Sequence, residues 1–247
     1  MKKTKASAPD LDALQNILGY SFNEPSLLKR AVTHRSWAHE QVAPGSEGEA
    51  RRLHNEALEF IGDSVLGLIV ADYLFHSYPD VTEGELSQMK HRLVSAQTLA
   101  AASEALELGQ FLRVGHGEEK SGGRRKRALL ADLFEALLGA IFIDGGLTAA
   151  TDFVLHALGD ELSNANPEAA AAADYKTMLQ EVLQAERRGT PQYAVINTDG
   201  PPHRRTFQVE LSWEGGSVRG EGRTIKAAET IAARRALENI KTVDDVQ

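Results

Sequence analysis

The sequence predicts a mainly α protein, with an all-helical first domain followed by a small α+β domain whose element order is α-β-β-β-α. Three observations predict this fold class. Apolar residues recur at helical spacing up to about residue 163. An alanine-rich segment, residues 164–173, follows them. Beyond that segment, apolar residues alternate with polar ones over short runs, a pattern typical of strands.

The first domain is predicted to consist of helices joined by short connections. Pro25 lies at a predicted helix start, Pro79 ends the long central helix, and glycines follow other helix ends. Two polar stretches, residues 39–51 and 114–127, are predicted to be loops. The predicted helices are Leu11–Leu18, Pro25–His34, Leu53–Tyr78, Glu83–Gln97, Thr98–Leu108, Ala128–Phe142 and Thr148–Leu162.

Domain boundaries follow from the change in pattern. We predict a first domain at residues 1–163, a linker at 164–173 and a second domain at 174–241. The linker is either a helix that begins at Pro167, because alanine favours helix, or a flexible segment. The second domain is a complete small α+β unit. Its predicted elements are helix Tyr175–Glu186, strands at 192–197, 206–213 and 217–222, and helix Thr224–Ile240.

Composition excludes several classes of protein. The chain has 247 residues, of which 42% are hydrophobic, so it is long and apolar enough to form packed cores. It contains no cysteine, which excludes disulfides and thiolate metal sites and is typical of a reducing compartment. The longest apolar stretch, near residues 65–74, is too short to span a bilayer. We therefore expect a soluble, cytoplasmic protein with no membrane partner.

The charge of the chain is unevenly distributed. The net charge is −8, from 35 acidic and 27 basic residues, which taken alone disfavours a nucleic-acid partner. Residues 174–241 carry 11 basic and 9 acidic residues, a net of +2 that leaves −10 for the remainder. Because this excess is small, the placement of the basic residues has to decide whether they bind phosphate.

Carboxylates are repeated on two predicted helices of the first domain. Glu56, Glu59 and Asp63 stand at i, i+3 and i+7, and Asp132 and Glu135 stand at i and i+3, so each set shares one helical face. Each set is either the solvated face of an amphipathic helix or part of a buried site. Both segments are apolar nearly all round, which favours burial, and buried carboxylates without basic partners are costly unless a cation lies among them. Oxygen ligands of this kind suit Mg²⁺ or Mn²⁺.

Other catalytic motifs are incomplete. A di-iron bundle would need Glu-x-x-His pairs, which the sequence lacks. A zinc-protease motif that starts at His39 ends in Ala43 instead of histidine, and Gly115-x-Gly117 lacks the third glycine of a dinucleotide-binding loop. We therefore expect no organic cofactor. The eight histidines are scattered, which disfavours a metal-free ribonuclease based on histidine acid–base pairs but leaves it open.

The segment from Asn55 to Leu66 resembles the signature of the ribonuclease III family, which reads approximately N-E-x-L-E-F-L-G-D-x-V-L. Further similarity occurs in the expected order over roughly 130 residues. The matching stretches are His34-Arg35-Ser36, Glu83-Gly84-x-Leu86-Ser87, Gly117-Glu118-Glu119-x-Ser121-Gly122-Gly123 and Leu130-Ala131-Asp132-x-x-Glu135-Ala136-x-x-Gly139-Ala140.

This resemblance implies a homodimeric endonuclease that cuts double-stranded RNA with Mg²⁺, for which Mn²⁺ is able to substitute. It implies products with 5′-phosphate and 3′-hydroxyl ends, formed in the processing of ribosomal RNA precursors and other structured transcripts. The residues to which it gives roles are Glu59, Asp63, Asp132 and Glu135 as metal ligands, Asp63 and Glu135 among them as catalytic residues, and Glu56 and Glu83 as supporting residues of the dimer.

Three features of the second domain, in order, resemble the double-stranded-RNA-binding domain over about residues 174–241. They are a polar helix face, a tight turn followed by a strand, and a basic helix start. Each feature alone is more commonly an ordinary solvated surface. Together they imply a helix that reads 2′-hydroxyls, a loop that reaches the next minor groove, and cations that contact phosphates. The RNA-binding residues so implied are Thr177, Gln180, Gln184, His203, Arg223 and Lys226.

One residue departs from the family pattern. Ile225 precedes Lys226 where the family usually has two adjacent basic residues, so one phosphate contact is in question, and Arg223 is positioned to compensate for it.

Two other functions compete with that of an active endoribonuclease. A non-cleaving RNA-binding or scaffold protein should have lost carboxylates, yet all of them are present. A hydrolase of small nucleotides would have no need of the second domain.

Overall fold

The computed structural model describes residues 9–201 and 205–244, and for residues 168–174 and 241–244 it describes the backbone alone. The chain forms two compact units, the first ending at Ala165 and the second beginning at Asn166. Within the described ranges, no helix has both the length and the apolar character needed to cross a membrane.

The first unit is helical, as the sequence predicts. Five of its helices begin at residues whose side chains satisfy free backbone N–H groups; for example, the Asp10 carboxylate accepts from Ala13 N at 3.0 Å, and Thr82 and Glu85 cap each other's backbone. The helices are α1 (Leu11–Leu18), α2 (Pro25–Ala31), α3 (Arg35–Gln41), α4 (Glu47–Leu53), α5 (Glu56–Ser77), α6 (Glu83–Leu93), α7 (Ala96–Ala105), α8 (His116–Lys120) and α9 (Arg127–Ser163), with 3₁₀ turns at Leu108–Phe111 and Gly123–Arg125.

Helix α9 is interrupted at Gly146, whose φ of 77° lies in the left-handed region that glycine adopts without strain. The two helices predicted on either side of this glycine are therefore the two halves of α9. Just before the break, the Asp144 carboxylate accepts hydrogen bonds from Tyr20 Oη at 2.7 Å and from Glu24 N at 2.9 Å. These bonds attach the N-terminal helices to the break in α9.

Helices α5 and α9 pack against each other over the largest contact of the first unit. At their crossing the two backbones touch: a Cβ atom on Gly62 would lie 1.8 Å from the carbonyl oxygen of Glu135, and one on Gly139 would lie 2.1 Å from that of Leu58. Larger residues would force the helices apart. The crossing is flanked by side chains that are fully buried, among them Leu66, Val70, Phe134, Leu137 and Ile141.

The two stretches predicted to be loops are partly helical. Helix α4 lies within residues 39–51, where α3 also ends, and α8 lies within residues 114–127. These helices are short and bury little: α4 buries Ala50, and α8, all of whose residues are described, buries none. A helix with so small a buried face leaves no apolar periodicity in the sequence, which is why the prediction of loops was wrong there.

The second unit has the predicted order α-β-β-β-α. Its strands form one antiparallel sheet in the order β1-β2-β3, with a register shift in β1 between Val195 and Asn197. Of the two alternatives for residues 164–173, helix is correct from Pro167 onwards. The elements are α10 (Pro167–Ala185), β1 (Gln192–Asp199), β2 (Thr206–Trp213), β3 (Gly216–Gly222) and α11 (Ile225–Asp244).

Helix α11 lies directly on strand β3, because β3 presents glycines to it. A Cβ atom on Gly220 would lie 2.1 Å from the carbonyl oxygen of Ala228, and one on Gly222 would lie 2.6 Å from Ala228 N. This close approach fixes the first turn of α11 against the end of β3. The core shared by both helices and the sheet consists of Leu179, Leu183, Leu211, Ala232, Ala233, Ala236, Leu237 and Ile240.

Candidate active site

Three of the four predicted metal-binding carboxylates meet where α5 and α9 cross. One carboxylate oxygen each from Glu59, Asp132 and Glu135 lies within 4.8 Å of the others. All three side chains are half-buried. We refer to these residues as the carboxylate triad. Asp63, the fourth predicted ligand, lies one turn along α5, is exposed, and does not belong to this group.

Burial of the carboxylate triad raises its pKa values, and repulsion between the acids raises them further. The pKa of Glu59 rises to about 7, mainly through desolvation and then through the charges of Asp132, Glu56 and Asp63. The pKa of Glu135 rises to about 8 through desolvation and the charges of Asp63, Glu59 and Asp132. Burial also raises the pKa of Asp132. The arrangement concentrates negative charge in a partly dry site, which a cation would relieve.

A pocket of about 480 Å³ opens beside the triad. Its polar side chains are held by a short network: the Glu56 carboxylate is 3.2 Å from the Arg35 guanidinium and 3.8 Å from His54 Nε2. Glu56 is therefore engaged within its own chain and is not among the triad. The residues that line the pocket are His34, Arg35, Asn55, Glu56, Glu59 and Asp132.

His54 immediately precedes Asn55 and Glu56, which line the pocket, and it fixes the position of the start of α5. Its ring is buried, which lowers its pKa, and Nδ1 accepts a hydrogen bond from Glu56 N at 3.4 Å. The carbonyl oxygen of His54 accepts from Arg30 Nε at 2.9 Å, and Asn55 N donates to the carbonyl oxygen of Thr33 at 3.0 Å. These bonds connect α5 to α2, so the first turn that carries Glu56 and Glu59 has a fixed position.

Sequence reasoning missed several residues that build this site. The sequence patterns give no role to Arg35, although it lies in the motif His34-Arg35-Ser36, and none to His54, Gly62 or Gly139. A signal for the glycines does exist: each follows a triad residue by one helical turn, Glu59 before Gly62 and Glu135 before Gly139. A small residue one turn from a carboxylate on each of two helices indicates where the helices approach closely.

Glu83, predicted to support a dimer, is the first residue of α6 and is exposed. Its carboxylate accepts a hydrogen bond from Ser87 Oγ at 2.9 Å. It does not line the pocket of its own chain, so its role remains a prediction about a partner subunit.

The predicted RNA-binding residues of the second unit lie on exposed surface where they are described. Thr177, Gln180 and Gln184 are exposed on α10, and Arg223 and Lys226 are exposed around the start of α11. Exposure leaves these side chains accessible to a ligand but is also what an ordinary surface shows.

His203 falls within residues 202–204, outside the described part of the chain. Lys176, by contrast with the exposed cations, pairs with Glu229 and lies 4.7 Å from the centre of the Tyr193 ring, so it belongs to the packing of the domain.

Comparison with known proteins gives matches for both units. Residues 24–162 match the family described as Ribonuclease-III-like, and residues 175–240 match the double-stranded RNA binding motif. Together these two matches cover most of the chain.

Curated relatives match along nearly the whole chain. Ribonuclease 3 of Syntrophotalea carbinolica is 42% identical over 229 residues, which cover 92% of this chain and 96% of the relative. Ribonuclease 3 of Streptomyces coelicolor is 42% identical over 245 residues, which cover 99% of this chain and 85% of the relative. The nuclease domain of ribonuclease III from Campylobacter jejuni, a solved structure, covers 61% of this chain and 97% of its own, with a TM-score of 0.55 and 34% identity.

Proposed function

The chain belongs to the ribonuclease III family, and we propose that it is a metal-dependent endonuclease that hydrolyses phosphodiester bonds within double-stranded RNA. Two findings support the substrate and the cofactor respectively. A double-stranded RNA binding motif follows the nuclease unit in the same chain. The carboxylate triad is the single observation that carries the metal dependence, because three half-buried carboxylates with oxygens within 4.8 Å of one another form an all-oxygen donor set whose mutual repulsion a divalent cation would relieve.

The donor set fits a divalent cation. Glu59, Asp132 and Glu135 offer only oxygen atoms, which suits Mg²⁺, with Mn²⁺ as a substitute, and Asp63 is near enough to raise the pKa of both glutamates. A cation held there would supply Lewis acidity, which would make water a better nucleophile near neutral pH and offset charge that develops on the phosphate. We propose Glu59, Asp63, Asp132 and Glu135 as the ligands.

In the proposed reaction, the oxygen of water forms a bond to phosphorus while the bond between phosphorus and the 3′ oxygen breaks. The water loses a proton to solvent and the 3′ oxygen gains one, which leaves 5′-phosphate and 3′-hydroxyl ends. Asp63 and Glu135 are the residues that we assign most directly to this step. Substrates of this chemistry include base-paired segments of ribosomal RNA precursors and other structured transcripts, and the absence of cysteine supports a cytoplasmic location.

In this proposal the second unit binds the RNA duplex. Thr177, Gln180 and Gln184 would meet 2′-hydroxyls in a minor groove, and His203 would reach the next one. Arg223 and Lys226 would contact phosphates across the intervening major groove. The five described residues are all exposed, as contact with RNA requires.

We also propose that the enzyme acts as a homodimer formed by its first unit. Phe60, Leu68 and Phe75 are 72%, 56% and 67% exposed and share one face of α5, a larger apolar stripe than an isolated chain favours. The Campylobacter jejuni nuclease domain has a region described as involved in dimer formation. Glu56 and Glu83 are proposed to support the site across this interface.

Cleavage of a long RNA duplex tests the proposed function. We expect cutting with Mg²⁺ and none with a chelator, and 5′-phosphate at the new ends. Glu135→Gln and Asp63→Asn should each slow cleavage by on the order of 1000-fold while duplex binding stays nearly intact, because the acidic site is separate from the binding surface. Near-normal cleavage by either variant at saturating Mg²⁺ would contradict the site, and metal-independent cleavage would contradict the mechanism.

A further inference from the structure

Arg35 lies at the mouth of the pocket beside the carboxylate triad. Of the six residues that line this pocket in the described part of the chain, Arg35 is the one with a permanent positive charge. The other lining residues include three carboxylates: Glu56, Glu59 and Asp132. A phosphodiester anion that enters the pocket meets repulsion from any acid that a bound cation does not neutralise, such as Glu56, and Arg35 is the side chain available to attract it.

The backbone around Arg35 is anchored by hydrogen bonds, whereas its side chain is largely exposed. Arg35 is the first residue of α3, whose N-terminus is capped by His34: Nδ1 of His34 accepts from Ser36 N at 3.2 Å. The hydroxyl of Ser36 in turn accepts from Gly115 N at 2.9 Å, which connects α3 to the loop before α8. The attachment point of the guanidinium is thus fixed relative to the pocket.

The partner of Arg35 is easily exchanged. Its guanidinium pairs with the Glu56 carboxylate at 3.2 Å, but the two side chains are 64% and 47% exposed. An ion pair so exposed to solvent contributes little to stability. A guanidinium binds a phosphate through two parallel N–H donors, a stronger arrangement than the single contact recorded with Glu56.

We propose that Arg35 exchanges Glu56 for a non-bridging oxygen of the phosphate that is cut, and so acts as a catalytic residue. The inference rests on the proposed function, because it needs duplex RNA to be the substrate of this pocket. Arg35 neither gains nor loses a proton in the step. Its contribution is positive charge directed at the phosphate, where negative charge increases as the bond to water forms.

Two variants of Arg35 and one control test the proposal. Arg35→Ala removes the guanidinium, Arg35→Lys keeps the charge but not the paired donors, and Arg52→Ala removes an exposed arginine on α4 that does not line the pocket. Single-turnover cleavage is measured at saturating enzyme, and duplex affinity is measured separately in a chelator. We expect Arg35→Ala to cut on the order of 100-fold more slowly, Arg35→Lys to be intermediate, and Arg52→Ala to match the unchanged protein.

Added guanidinium separates phosphate contact from a structural role. At non-denaturing concentrations it should restore part of the activity of Arg35→Ala, whereas NaCl at the same ionic strength should not. Duplex affinity should change little, because one phosphate contact among many is lost. A slow Arg35→Ala variant that guanidinium does not rescue would show that Arg35 acts only by holding Glu56, and would overturn the proposal.

Two other outcomes would also contradict the proposed role of Arg35. If Arg35→Ala and Arg35→Lys both cut at the rate of the unchanged protein, Arg35 makes no catalytic contact, while the proposed function stands. If the unchanged protein leaves duplex RNA intact in Mg²⁺, both the proposed function and this inference fail. Circular dichroism confirms that the variants are folded, and Arg35→Lys remains informative should Arg35→Ala not fold.

Discussion

Glu59 and Glu135 are held in the folded chain at an electrostatic cost that depends on pH. A glutamate ordinarily titrates near 4.5, whereas burial and neighbouring carboxylates raise the pKa of Glu135 to about 8. Between these values the folded state binds more protons than the unfolded state. Stability contributed by this group is therefore greatest below pH 4.5 and falls as pH rises towards 8. The penalty is fully developed above pH 8.

Replacing Glu135 with glutamine should remove this penalty. Without divalent cations, we expect Glu135→Gln to unfold at a higher temperature than the unchanged protein at pH 8.5, by on the order of 2–4 °C, or about 1 kcal/mol for a chain of this size. The difference should shrink towards zero at pH 5. Mg²⁺ should raise the unfolding temperature of the unchanged protein more than that of the variant. An equal effect of the substitution at both pH values would contradict the assignment of the pKa shift.

Ile225 offers a second test at the scale of one residue. It is 42% exposed at the start of α11, beside Lys226. If this position faces phosphate, Ile225→Lys should tighten duplex binding by about 1 kcal/mol at low salt and steepen the salt dependence by about one charge. Ile196→Lys is the matched control, because Ile196 is 40% exposed on β1, which β2 separates from the strand that the start of α11 packs on. Equal tightening by both variants would indicate a general effect of charge and not a phosphate contact at position 225.

At the scale of elements, apolar periodicity predicted every helix that buries a substantial face, including α5 and both halves of α9. It missed the short helices α3, α4 and α8, each of which buries at most one side chain. Spacing along the sequence also placed Glu59 and Asp63 on one helical face. It could not predict how near α9 approaches, since the distance between two helices depends on the side chains at their crossing. That distance decides which carboxylates converge.

Gly139 tests whether the crossing sets the geometry of the carboxylate triad. A methyl group there would lie 2.1 Å from the carbonyl oxygen of Leu58 and 3.0 Å from Gly62 N, and backbone atoms cannot move aside as a flexible side chain can. We expect Gly139→Ala to lower stability by about 1–3 kcal/mol and to weaken Mn²⁺ binding measured by calorimetry.

The same helix provides a control for this substitution. Gly159, also in α9, has open space around its Cβ position, so Gly159→Ala should leave Mn²⁺ binding unchanged and stabilise the chain by about 0.5–1 kcal/mol. If Gly139→Ala bound Mn²⁺ as tightly as the unchanged protein, the close approach of the two helices would not be what positions the ligands.

In the whole molecule, charge is distributed unevenly between the nuclease unit and the RNA-binding domain. Residues 174–241 carry a net charge of +2, whereas residues 1–165 carry 16 basic and 23 acidic residues, a net of −7, so a nuclease unit alone would be repelled by RNA. Removing residues 166–247 should leave a folded helical protein, since the related Campylobacter jejuni nuclease domain has been solved as a separate chain. We expect it to cut duplex RNA weakly, and best at low salt. Full activity at physiological salt would show that the second unit does not supply the affinity for duplex RNA.

The exposed apolar face of α5 predicts that the chain assembles into a dimer. Cutting both strands of a duplex close together requires two sites of opposite polarity, which a two-fold dimer supplies because its axis can coincide with that of the duplex. We expect a mass of twice 26.8 kDa in solution at micromolar concentration. Phe60→Glu places a charge on a side chain that is 72% exposed in one chain and should give monomers, whereas Leu155→Glu, on α9 and 42% exposed, should not. A chain that is monomeric at this concentration and still makes paired cuts in both strands would refute the dimer as the source of double-strand cleavage.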